Sequence, residues 1–453
     1  MPFDSVAFPD TADRVERHHI HLKPGDGFMR LAILGGMLAI VYLSAHWQVF
    51  QPLMQAAREH PLTRMMLPPG MVWMALGIFM LLFRTLLWFR YRTPEMASFT
   101  DAPTLTVVIP AYNEGAMVAQ SIDSVAAARY PRERLEIFVV DDGSRDDTWQ
   151  HISAAAGRHP GLVTALRFEN NRGKRAALEA GFRHARGDVV VTIDSDSVIE
   201  PDSLLAMAGP FQDPRVGAVA GRVTVFNRAD GLIPRMLKVR YALSFDFLRA
   251  VQSTYGTVYC CPGALAGYRT RVVREVLDDW MKQRFLGAPC TYGEDRSMTN
   301  YILACGYDTV YQRAAIVHTI VPITYGKLCK MFLRWDRSYV REELRFAWIV
   351  WKRPLKSRLI AIADSLVNSL RIPMSWFGLV LLVTLAILSP AILPKFLFAI
   401  GVFACFNMLY YLRSERSWDF VYGIFYSYYS VFALFWVFPY AVCTARARGW
   451  LTR

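Results

Sequence analysis

An apolar run that ends in two closely spaced carboxylates restricts the fold of this chain more than any other feature. The segment Val189–Ile193 reads VVVTI and is followed by Asp194, Ser195 and Asp196. Uninterrupted β-branched residues predict a strand buried on both faces, which is typical of parallel sheets. Such sheets bind ligands in the crevice beyond the carboxyl ends of their strands. Two aspartates at that position suit a divalent metal that carries a diphosphate.

Two further predicted strands also end in polar residues. Leu105–Ile109 leads into Tyr112–Glu114, and Leu135–Val140 leads into Asp141–Ser144, with an alanine-rich helical segment between them. The carboxyl ends of parallel strands meet at one edge of a sheet, so we expect these polar groups to surround one nucleotide-sized site. Because strands alternate with helices, the sequence predicts a doubly wound α/β domain between about residues 100 and 345.

Two of the polar clusters have both a structural and a functional interpretation. Asp141–Ser144 is either a turn, in which Asp, Gly and Ser are common, or a carboxylate site for ribose and base. Asn171–Arg175 opens a helical segment over Ala176–Ala185. It is either a solvated charge run or a helix start that binds phosphate.

The same holds for two clusters further along the chain. Glu294 and Asp295 precede the helical pattern Met298–Ala304, where acidic residues often serve only as caps. A carboxylate beside a sugar hydroxyl is also what a general base requires. Arg334 and Trp335 belong either to an aromatic belt at a membrane surface or to a sugar site, in which Trp offers a flat face and Arg a fork for diphosphate.

Long apolar stretches lie on both sides of the predicted α/β domain. The chain has 453 residues, of which 53% are hydrophobic, and a net charge of +13. Lys and Arg concentrate beside the apolar stretches, which indicates positive-inside membrane topology and argues against nucleic-acid binding. Seven cysteines without metal-ligand spacing argue against disulfides and zinc sites. The candidate spans are Met29–Val49, Met71–Phe89, Ser375–Leu388, Phe396–Leu412 and Phe420–Cys443.

This pattern divides the chain into six segments. We expect a basic cytosolic tail without a cleavable signal over residues 1–28, and two transmembrane helices over 29–91. The α/β domain covers 100–345. Residues 346–373 form interfacial amphipathic helices, because basic and apolar residues alternate there at helical spacing. Transmembrane or re-entrant helices over 374–445 and a C-terminal segment over 446–453 complete the chain.

The number of membrane crossings stays open at this stage. Two N-terminal and three C-terminal spans place Arg453 on the side opposite the α/β domain. If the C-terminus reaches the site, one apolar stretch is not a simple crossing. Either the tyrosine-rich run Tyr422–Tyr429, with its break at Pro439, is re-entrant or interfacial, or a further crossing lies within Leu359–Leu388.

Taken together, the motifs resemble those of the processive family-2 glycosyltransferases, especially hyaluronan synthases and the nodulation chitooligosaccharide synthase. The resemblance covers roughly residues 70 to 453, and it is the order of the motifs that makes it specific. Cys260–Ala264 with Tyr268 and Arg269 is similar to the acceptor-side loop of these enzymes. Trp450–Arg453 is similar to their C-terminal gating segment. The remaining motifs are Ala111–Glu114, Asp141–Ser144, Gly173-Lys174, Asp194-x-Asp196, Gly293–Asp295 and Arg334-Trp335.

The resemblance implies a glycosyltransferase-A-like cytosolic domain that transfers sugar with inversion. It implies that Asp295, with Glu294 beside it, takes the proton of the acceptor hydroxyl, and that Asp194 and Asp196 hold Mg²⁺ or Mn²⁺. The residues implied for nucleotide-sugar binding are Tyr112, Asn113, Glu114, Asp142, Lys174, Asp194, Arg334 and Arg453. Those implied for acceptor binding are Cys261, Pro262, Gly263 and Trp335, the last as a stacking platform, and those for gating are Trp450, Thr452 and Arg453.

The implied function is that of a processive, multi-pass enzyme of the inner membrane. It would join sugars from UDP-N-acetylglucosamine, alone or with UDP-glucuronate, into a β-linked polysaccharide and move that chain across the bilayer. Its partners would be the nucleotide sugar, the growing polysaccharide and membrane lipids, without nucleic acid or an obligate protein partner. Two alternatives remain: a non-processive transferase that loads a sugar onto a lipid carrier, and a non-catalytic membrane scaffold.

One position departs from the family pattern. The family's Gln-x-x-Arg-Trp reads Met331-Phe332-Leu333-Arg334-Trp335 in this chain. The side-chain amide that would bond the acceptor or the loop is therefore absent. Because Arg334 and Trp335 remain, the departure bears on the identity of the sugar and its linkage more than on the transfer reaction.

Overall fold

The computed structural model describes residues 25–46, 61–388 and 393–447, together with positions 51, 55, 58, 59, 390 and 449. Most of the predicted tail over residues 1–28 lies outside the described residues. Trp450, Thr452 and Arg453 lie outside them as well, so the predicted gating segment stays a prediction.

A mixed sheet of eight strands forms the centre of the described chain. The strands of the described chain are β1 (Leu105–Ala111), β2 (Leu135–Asp141), β3 (Val163–Arg167), β4 (Val189–Thr192), β5 (Ser197–Ile199), β6 (Val216–Val225), β7 (Ala266–Arg269), β8 (Arg284–Phe285), β9 (Ala288–Pro289) and β10 (Asp308–Thr319). The order in the eight-stranded sheet is β3-β2-β1-β4-β7-β6-β10-β5, and β8 and β9 form a separate two-stranded ribbon.

The parallel strands β1 and β4 bury every residue, which agrees with the strands predicted from their apolar runs. The predicted α/β fold is therefore confirmed, but the sheet is mixed. β7 pairs antiparallel with β4 and with β6, and Thr192 at the end of β4 faces Ala266 at the start of β7. The loop before β7 consequently lies at the carboxyl edge of the sheet, beside the end of β4.

Helices connect the strands of the sheet and also form the apolar stretches. They are α1 (Asp26–His46), α2 (Pro61–Arg90), α3 (Met117–Ala126), α4 (Thr148–Arg158), α5 (Lys174–His184), α6 (Ser203–Ala208), α7 (Leu232–Tyr241), α8 (Arg249–Ser253), α9 (Thr270–Met281), α10 (Glu294–Ala304), α11 (Tyr325–Ile349), α12 (Leu355–Leu388), α13 (Leu393–Glu415), α14 (Phe420–Ala433) and α15 (Val437–Cys443). A π-helix over Ala242–Leu248 joins α7 to α8.

Helix α10 begins earlier than its apolar pattern indicates. The pattern starts at Met298, whereas the helix starts at Glu294, so Glu294 and Asp295 form its first turn. Gly293 precedes it with a φ of 77°, in the left-handed region that favours glycine. A Cβ atom at Gly293 would also lie 2.0 Å from Ser338 Oγ of α11. The two carboxylates are thus fixed by a turn that only glycine fits.

Two helices among the described residues are long and apolar enough to cross a membrane, namely Thr63–Arg90 and Phe396–Glu415. Helices α14 and α15 meet the same criterion as a pair, with a bend of 48° between them. The bend lies within the stretch predicted to be re-entrant or interfacial, but it falls between Ala433 and Val437, and Pro439 lies inside α15. Length and composition allow these segments to span a bilayer, and the number of crossings stays a prediction.

Two predicted segment boundaries fall inside helices. The boundary at residue 345 lies within α11, which continues to Ile349. The boundary at 373 lies within α12, which includes Pro373. Proline removes one backbone hydrogen bond, yet long helices in apolar surroundings tolerate that loss, so the interfacial and apolar stretches form one helix.

Ion pairs tie the sheet to the π-helix and to the apolar helix α13. Arg222 of β6 pairs with Glu415, and Arg313 of β10 pairs with Asp246 of the π-helix. The hydroxyl of Ser414 donates a hydrogen bond to the same aspartate. The sheet, the π-helix and α13 therefore hold one another in a fixed arrangement.

Candidate active site

The ends of the three parallel strands β2, β1 and β4 are connected by hydrogen bonds. The hydroxyl of Ser195, after β4, donates to Glu114 Oε1, after β1, over 2.9 Å. The backbone N–H of Asn113 donates to Ser144 Oγ, after β2, over 3.0 Å. Asn113 has a φ of 53°, a conformation that Asn tolerates better than most residues. The polar residues that follow these three strands therefore form one continuous edge.

Asp142 is bound to the loop that precedes α5. Its carboxylate accepts hydrogen bonds from the backbone N–H groups of Arg172 at 2.7 Å and Gly173 at 2.8 Å, and from Asn171 Nδ2 at 3.0 Å. Burial raises the pKa of Asp142 more than these backbone donors lower it. In this structure Asp142 acts on the site by holding the start of α5, which carries Lys174.

Lys174 lies between two carboxylates from different parts of the chain. Its Nζ is 2.5 Å from Asp194 Oδ1 and 3.1 Å from Glu294 Oε1. Burial alone would lower the pKa of Lys174, but the two acidic neighbours raise it above its ordinary value. The residue is therefore a permanent cation at the start of α5, where backbone N–H groups already favour an anion.

The adjacent carboxylates Glu294 and Asp295 have opposite pKa shifts. Burial would raise the pKa of Glu294, but the charge of Lys174 lowers it below the ordinary value. Burial raises the pKa of Asp295, and the negative charge of Glu294 raises it further. A carboxylate pair whose pKa values are pushed apart is the arrangement found where one member acts as an acid or a base.

The loop before β7 also contacts Asp295. The N–H of Gly263 donates to Asp295 Oδ2 over 3.3 Å, and the thiol of Cys260 lies 3.6 Å from the same oxygen. A Cβ atom at Gly263 would lie 3.2 Å from Lys174 Nζ and 3.4 Å from Asp194 Oδ1. The absence of a side chain lets this loop approach both groups closely.

These groups surround one cavity of about 380 Å³. Trp335, with 39% of its surface exposed, lies on the wall, and its ring centroid is 5.7 Å from that of Phe332 and 6.1 Å from that of Tyr241. The wall continues to Asn368 of α12, beyond the sheet. The cavity thus extends from the strand ends to a helix of the apolar part of the chain.

The structure brings most of the predicted site residues together. Those that line the cavity are Lys174, Asp194, Asp196, Pro262, Gly263, Glu294, Asp295, Arg334 and Trp335. Tyr112, Asn113, Glu114 and Asp142 belong to the adjoining strand edge, outside the residues that line it. Cys261 is fully buried and its N–H bonds Thr299 Oγ1, whereas its neighbour Cys260 faces the cavity.

The acidic residues at the end of β4 fit a divalent metal that arrives with a diphosphate. Among the described residues, no group of three or more His, Cys, Asp or Glu side chains is arranged to hold a metal ion by itself. Mg²⁺ and Mn²⁺ prefer oxygen ligands, and Mg²⁺ is commonly held by one or two carboxylates plus substrate phosphates. Asp194 and Asp196, both on the cavity wall, supply such a pair.

Several cavity residues were not predicted from the sequence. Arg249 and Arg296 face the cavity, and so does Tyr241. Arg296 follows the Glu294-Asp295 pair directly, so its place beside this motif could have indicated that it belongs to the site. Arg249 lies in an ordinary amphipathic segment, and its placement depends on how the π-helix packs.

The sequence comparisons identify the family. The profile described as glycosyl transferase family 2 matches residues 106–277. An N-acetylglucosaminyltransferase of Azorhizobium caulinodans is 31% identical over 353 residues, which cover 78% of this chain and 87% of that protein. The chain therefore belongs to glycosyltransferase family 2.

Other relatives match a shorter part of the chain. An N-acetylglucosaminyltransferase of Rhizobium sp. (strain N33) is 36% identical over 248 residues, covering 53% of this chain and 54% of that protein. The hyaluronan synthase of Streptococcus pyogenes is 36% identical over 263 residues, covering 57% of this chain and 61% of that protein. The match thus spans little more than half the length of these relatives.

A solved structure shows the same fold. The mannosyltransferase of Pyrobaculum calidifontis, in complex with GDP-Man and Mn²⁺, superposes with a TM-score of 0.57 at 22% identity. The superposition covers 79% of this chain and 98% of the mannosyltransferase. The predicted glycosyltransferase-A-like fold is confirmed by this likeness.

Proposed function

We propose that this chain is an inverting, processive glycosyltransferase of the inner membrane that builds a β-linked polysaccharide from nucleotide sugars. The observation that carries the proposal is the single cavity that joins the Asp194 side, the buried Asp295 and the apolar helix α12 at Asn368. A donor site, a base and an exit path have to be continuous in an enzyme that extends and moves one chain.

The donor would bind along the strand edge. Tyr112–Glu114 and the region of Asp142 would hold base and ribose, and Lys174 at the start of α5 would meet the diphosphate. A metal bound by Asp194 and Asp196 would neutralise charge on the departing diphosphate. Mn²⁺ in the structurally similar mannosyltransferase supports this choice, and Mg²⁺ fits the same oxygen ligands.

Transfer would proceed by one displacement. The acceptor oxygen attacks the anomeric carbon, the bond from that carbon to the diphosphate breaks, and the acceptor proton passes to Asp295. The nucleoside diphosphate leaves, and the configuration at the anomeric carbon inverts. The burial of Asp295 and the charge of Glu294 raise the pKa of Asp295, which makes it a stronger base than a solvated aspartate.

The acceptor side would hold the growing chain. Trp335 presents a partly exposed indole face, which suits stacking on the terminal sugar. Cys260–Gly263 would contact the acceptor from the opposite wall. Thr63–Arg90 and Phe396–Glu415, with the bent pair α14 and α15, would supply the membrane path, with the sheet domain on the cytosolic side.

The proposed donor is UDP-N-acetylglucosamine, alone or with UDP-glucuronate. Relatives described as N-acetylglucosaminyltransferase and hyaluronan synthase support this choice. Met331 is buried in the cavity wall, with its sulfur 4.0 Å from the hydroxyl of Tyr241, where the family pattern has Gln. The loss of that amide leaves the sugar and linkage to be determined by experiment.

Purified protein in detergent or nanodiscs, offered single and paired UDP-sugars, tests the proposal. UDP release and product length are measured together. Long polymer from UDP-N-acetylglucosamine alone supports a chitin-like product, and stimulation by a pair supports an alternating polymer. A product that consists of one sugar on a lipid carrier would contradict processive synthesis and support the non-processive alternative. No turnover with any donor, alongside donor binding, would favour a non-catalytic scaffold.

A further inference from the structure

Arg249 is a cavity residue that the proposed reaction has not used. It is the first residue of α8, directly after the π-helix, and its guanidinium carbon lies 3.9 Å from the ring centroid of Phe245. Arg249 and Phe245 both line the cavity. π-Helical segments are rare and occur often at functional sites, because the extra residue turns neighbouring side chains to new directions.

The hydrogen bonds of Arg249 connect two walls of the cavity. Nε donates to the carbonyl of Cys260 over 3.1 Å, and Nη1 donates to the carbonyl of Ser244 over 3.1 Å. Within the described part of the chain, Nη2 has no hydrogen-bond partner and no carboxylate lies within salt-bridge distance of the guanidinium. Arginine carries five N–H donors, and those on Nη2 are thus left for a ligand.

The position of Arg249 relative to Asp295 follows from its contact with the loop from Cys260 to Gly263. Its Gly263 end lies against Lys174 and Asp194, the diphosphate side. Both ends contact Asp295, through the N–H of Gly263 and the thiol of Cys260. Arg249 holds the Cys260 end, which is the end away from Gly263 and its diphosphate-side neighbours. A ligand at Nη2 is therefore on the acceptor side.

We infer that Arg249 binds the acceptor sugar through Nη2 and positions the general base through the Cys260–Gly263 loop. The bound group is an oxygen of the acceptor sugar next to the attacking hydroxyl. The inference deepens the proposed function and rests on it. Arg249 acts on Asp295 indirectly, because its bond to the Cys260 carbonyl fixes the loop whose Gly263 N–H reaches Asp295 Oδ2.

The variants Arg249→Met and Arg249→Lys test this role. Methionine keeps the unbranched stem of the side chain without the donors, and lysine keeps the charge on a single nitrogen. Arg271→Met, at an exposed arginine of α9 outside the cavity, is the matched control. Binding of the β-linked N-acetylglucosamine tetramer is measured for each protein by calorimetry, which needs no turnover. The KM for the nucleotide sugar and the pH profile of kcat are measured alongside.

Arg249→Met is expected to weaken tetramer binding by about 10-fold or more, as the loss of a hydrogen bond from a charged donor implies. The KM for the donor should stay at the wild-type value. The acidic limb of the kcat profile should move to higher pH, because a loosened Gly263 N–H no longer stabilises the carboxylate form of Asp295. Arg249→Lys should lie between wild type and Arg249→Met, and Arg271→Met should match wild type.

Equal tetramer affinity for wild type and Arg249→Met, or no tetramer binding by wild type, would overturn the inference. An equal rise in donor KM and tetramer dissociation constant would overturn it too, because that pattern indicates a general structural defect. Thermal unfolding identifies a variant that does not fold, and Arg249→Lys then carries the comparison. Donor turnover by the wild type tests the proposed function separately, so the two failures are distinguishable.

Discussion

The ammonium of Lys174 lies 2.5 Å from Oδ1 of Asp194. The same ammonium is 3.1 Å from Glu294 Oε1, so one cation joins the end of β4 to the first turn of α10. A diphosphate that enters the site would meet Lys174 and a metal at Asp194, and it would draw the lysine away from its present partners. Lys174 therefore links the charge at the proposed diphosphate site to the charge beside the proposed base.

Replacing Lys174 with Met should weaken donor binding and slow transfer together. The variant loses the cation that faces the diphosphate and leaves two carboxylates without their partner. We expect kcat/KM for the nucleotide sugar to fall by about 100-fold or more, as loss of a preorganised charge stabiliser commonly does. The matched control is Lys327→Met, at an exposed lysine of α11. Initial rates of UDP release measure both, and wild-type kinetics in Lys174→Met would contradict the role.

Replacing Asp295 with Asn should stop transfer and leave donor binding nearly unchanged. The amide keeps the shape of the side chain but cannot take the acceptor proton. Loss of general-base help costs on the order of 10²–10⁴-fold in rate. Polymer synthesis is compared with binding of UDP measured by calorimetry. Normal polymer output from Asp295→Asn would remove this residue from the role of base.

The pH dependence of kcat should report the pair Glu294 and Asp295. In the proposed role of base, Asp295 has to be deprotonated, so activity is expected above its pKa and is lost as pH falls through it. Burial and the charge of Glu294 raise that pKa, and the acidic limb should therefore lie above the range of a solvated aspartate. Glu294→Gln removes the like charge, lowers the pKa of Asp295 and should shift the acidic limb to lower pH. An unchanged limb would show that this coupling does not govern the rate.

Much of this arrangement follows from local sequence. The β-branched run of β4 predicted a strand buried on both faces, because each residue of such a strand meets an apolar layer, and its last residues placed Asp194 at the edge of the sheet. The start of α10 was less predictable from its apolar residues. Periodicity marks buried positions, whereas a helix start is fixed by the turn at Gly293 and its close approach to Ser338.

The placement of Arg249 and Asn368 could not be predicted from local sequence. The π-helix before Arg249 is held through Asp246, whose partners Arg313 and Ser414 lie 67 and 168 residues further along the chain. Asn368 reaches the cavity because Arg84 of α2 and Tyr339 of α11 hydrogen-bond it there. Such contacts depend on how elements that are distant in sequence pack together. Neither the spacing of apolar residues nor secondary-structure propensity predicts them.

Removal of the metal should act on binding and catalysis together. Asp196→Ala takes away one of the two proposed carboxylate ligands, and EDTA takes away the metal from the unaltered protein. Both should raise the KM for the nucleotide sugar and lower kcat, because the diphosphate loses its countercharge. Restoration by Mg²⁺ and by Mn²⁺, compared at equal concentration, would show which ion serves. Activity that survives exhaustive chelation would contradict the assignment of Asp194 and Asp196.

Deleting Trp450–Arg453 should leave a folded protein with little polymerase activity. Two hydrogen bonds hold the described chain just before this segment: Arg337 Nε donates to Thr444 Oγ1 over 3.0 Å, and the hydroxyl of Tyr292 donates to the carbonyl of Ala447 over 2.7 Å. Tyr292 lies two residues before Glu294. Six further residues extend at most about 20 Å, which is enough to reach across a small cavity.

A segment that closes over the donor acts on the reaction step and on water exclusion more than on capture of the substrate. Polymer synthesis should therefore fall by about 10-fold or more, as the loss of one charge-assisted contact to phosphate implies. Leu451→Ala, outside the predicted gating residues, is the matched control, and Arg453→Ala should reproduce most of the loss. Polymer yield, chain length and thermal unfolding are measured for each. Wild-type yield and length from the truncated protein, or labelling of residue 453 from the periplasmic side, would rule out the gate.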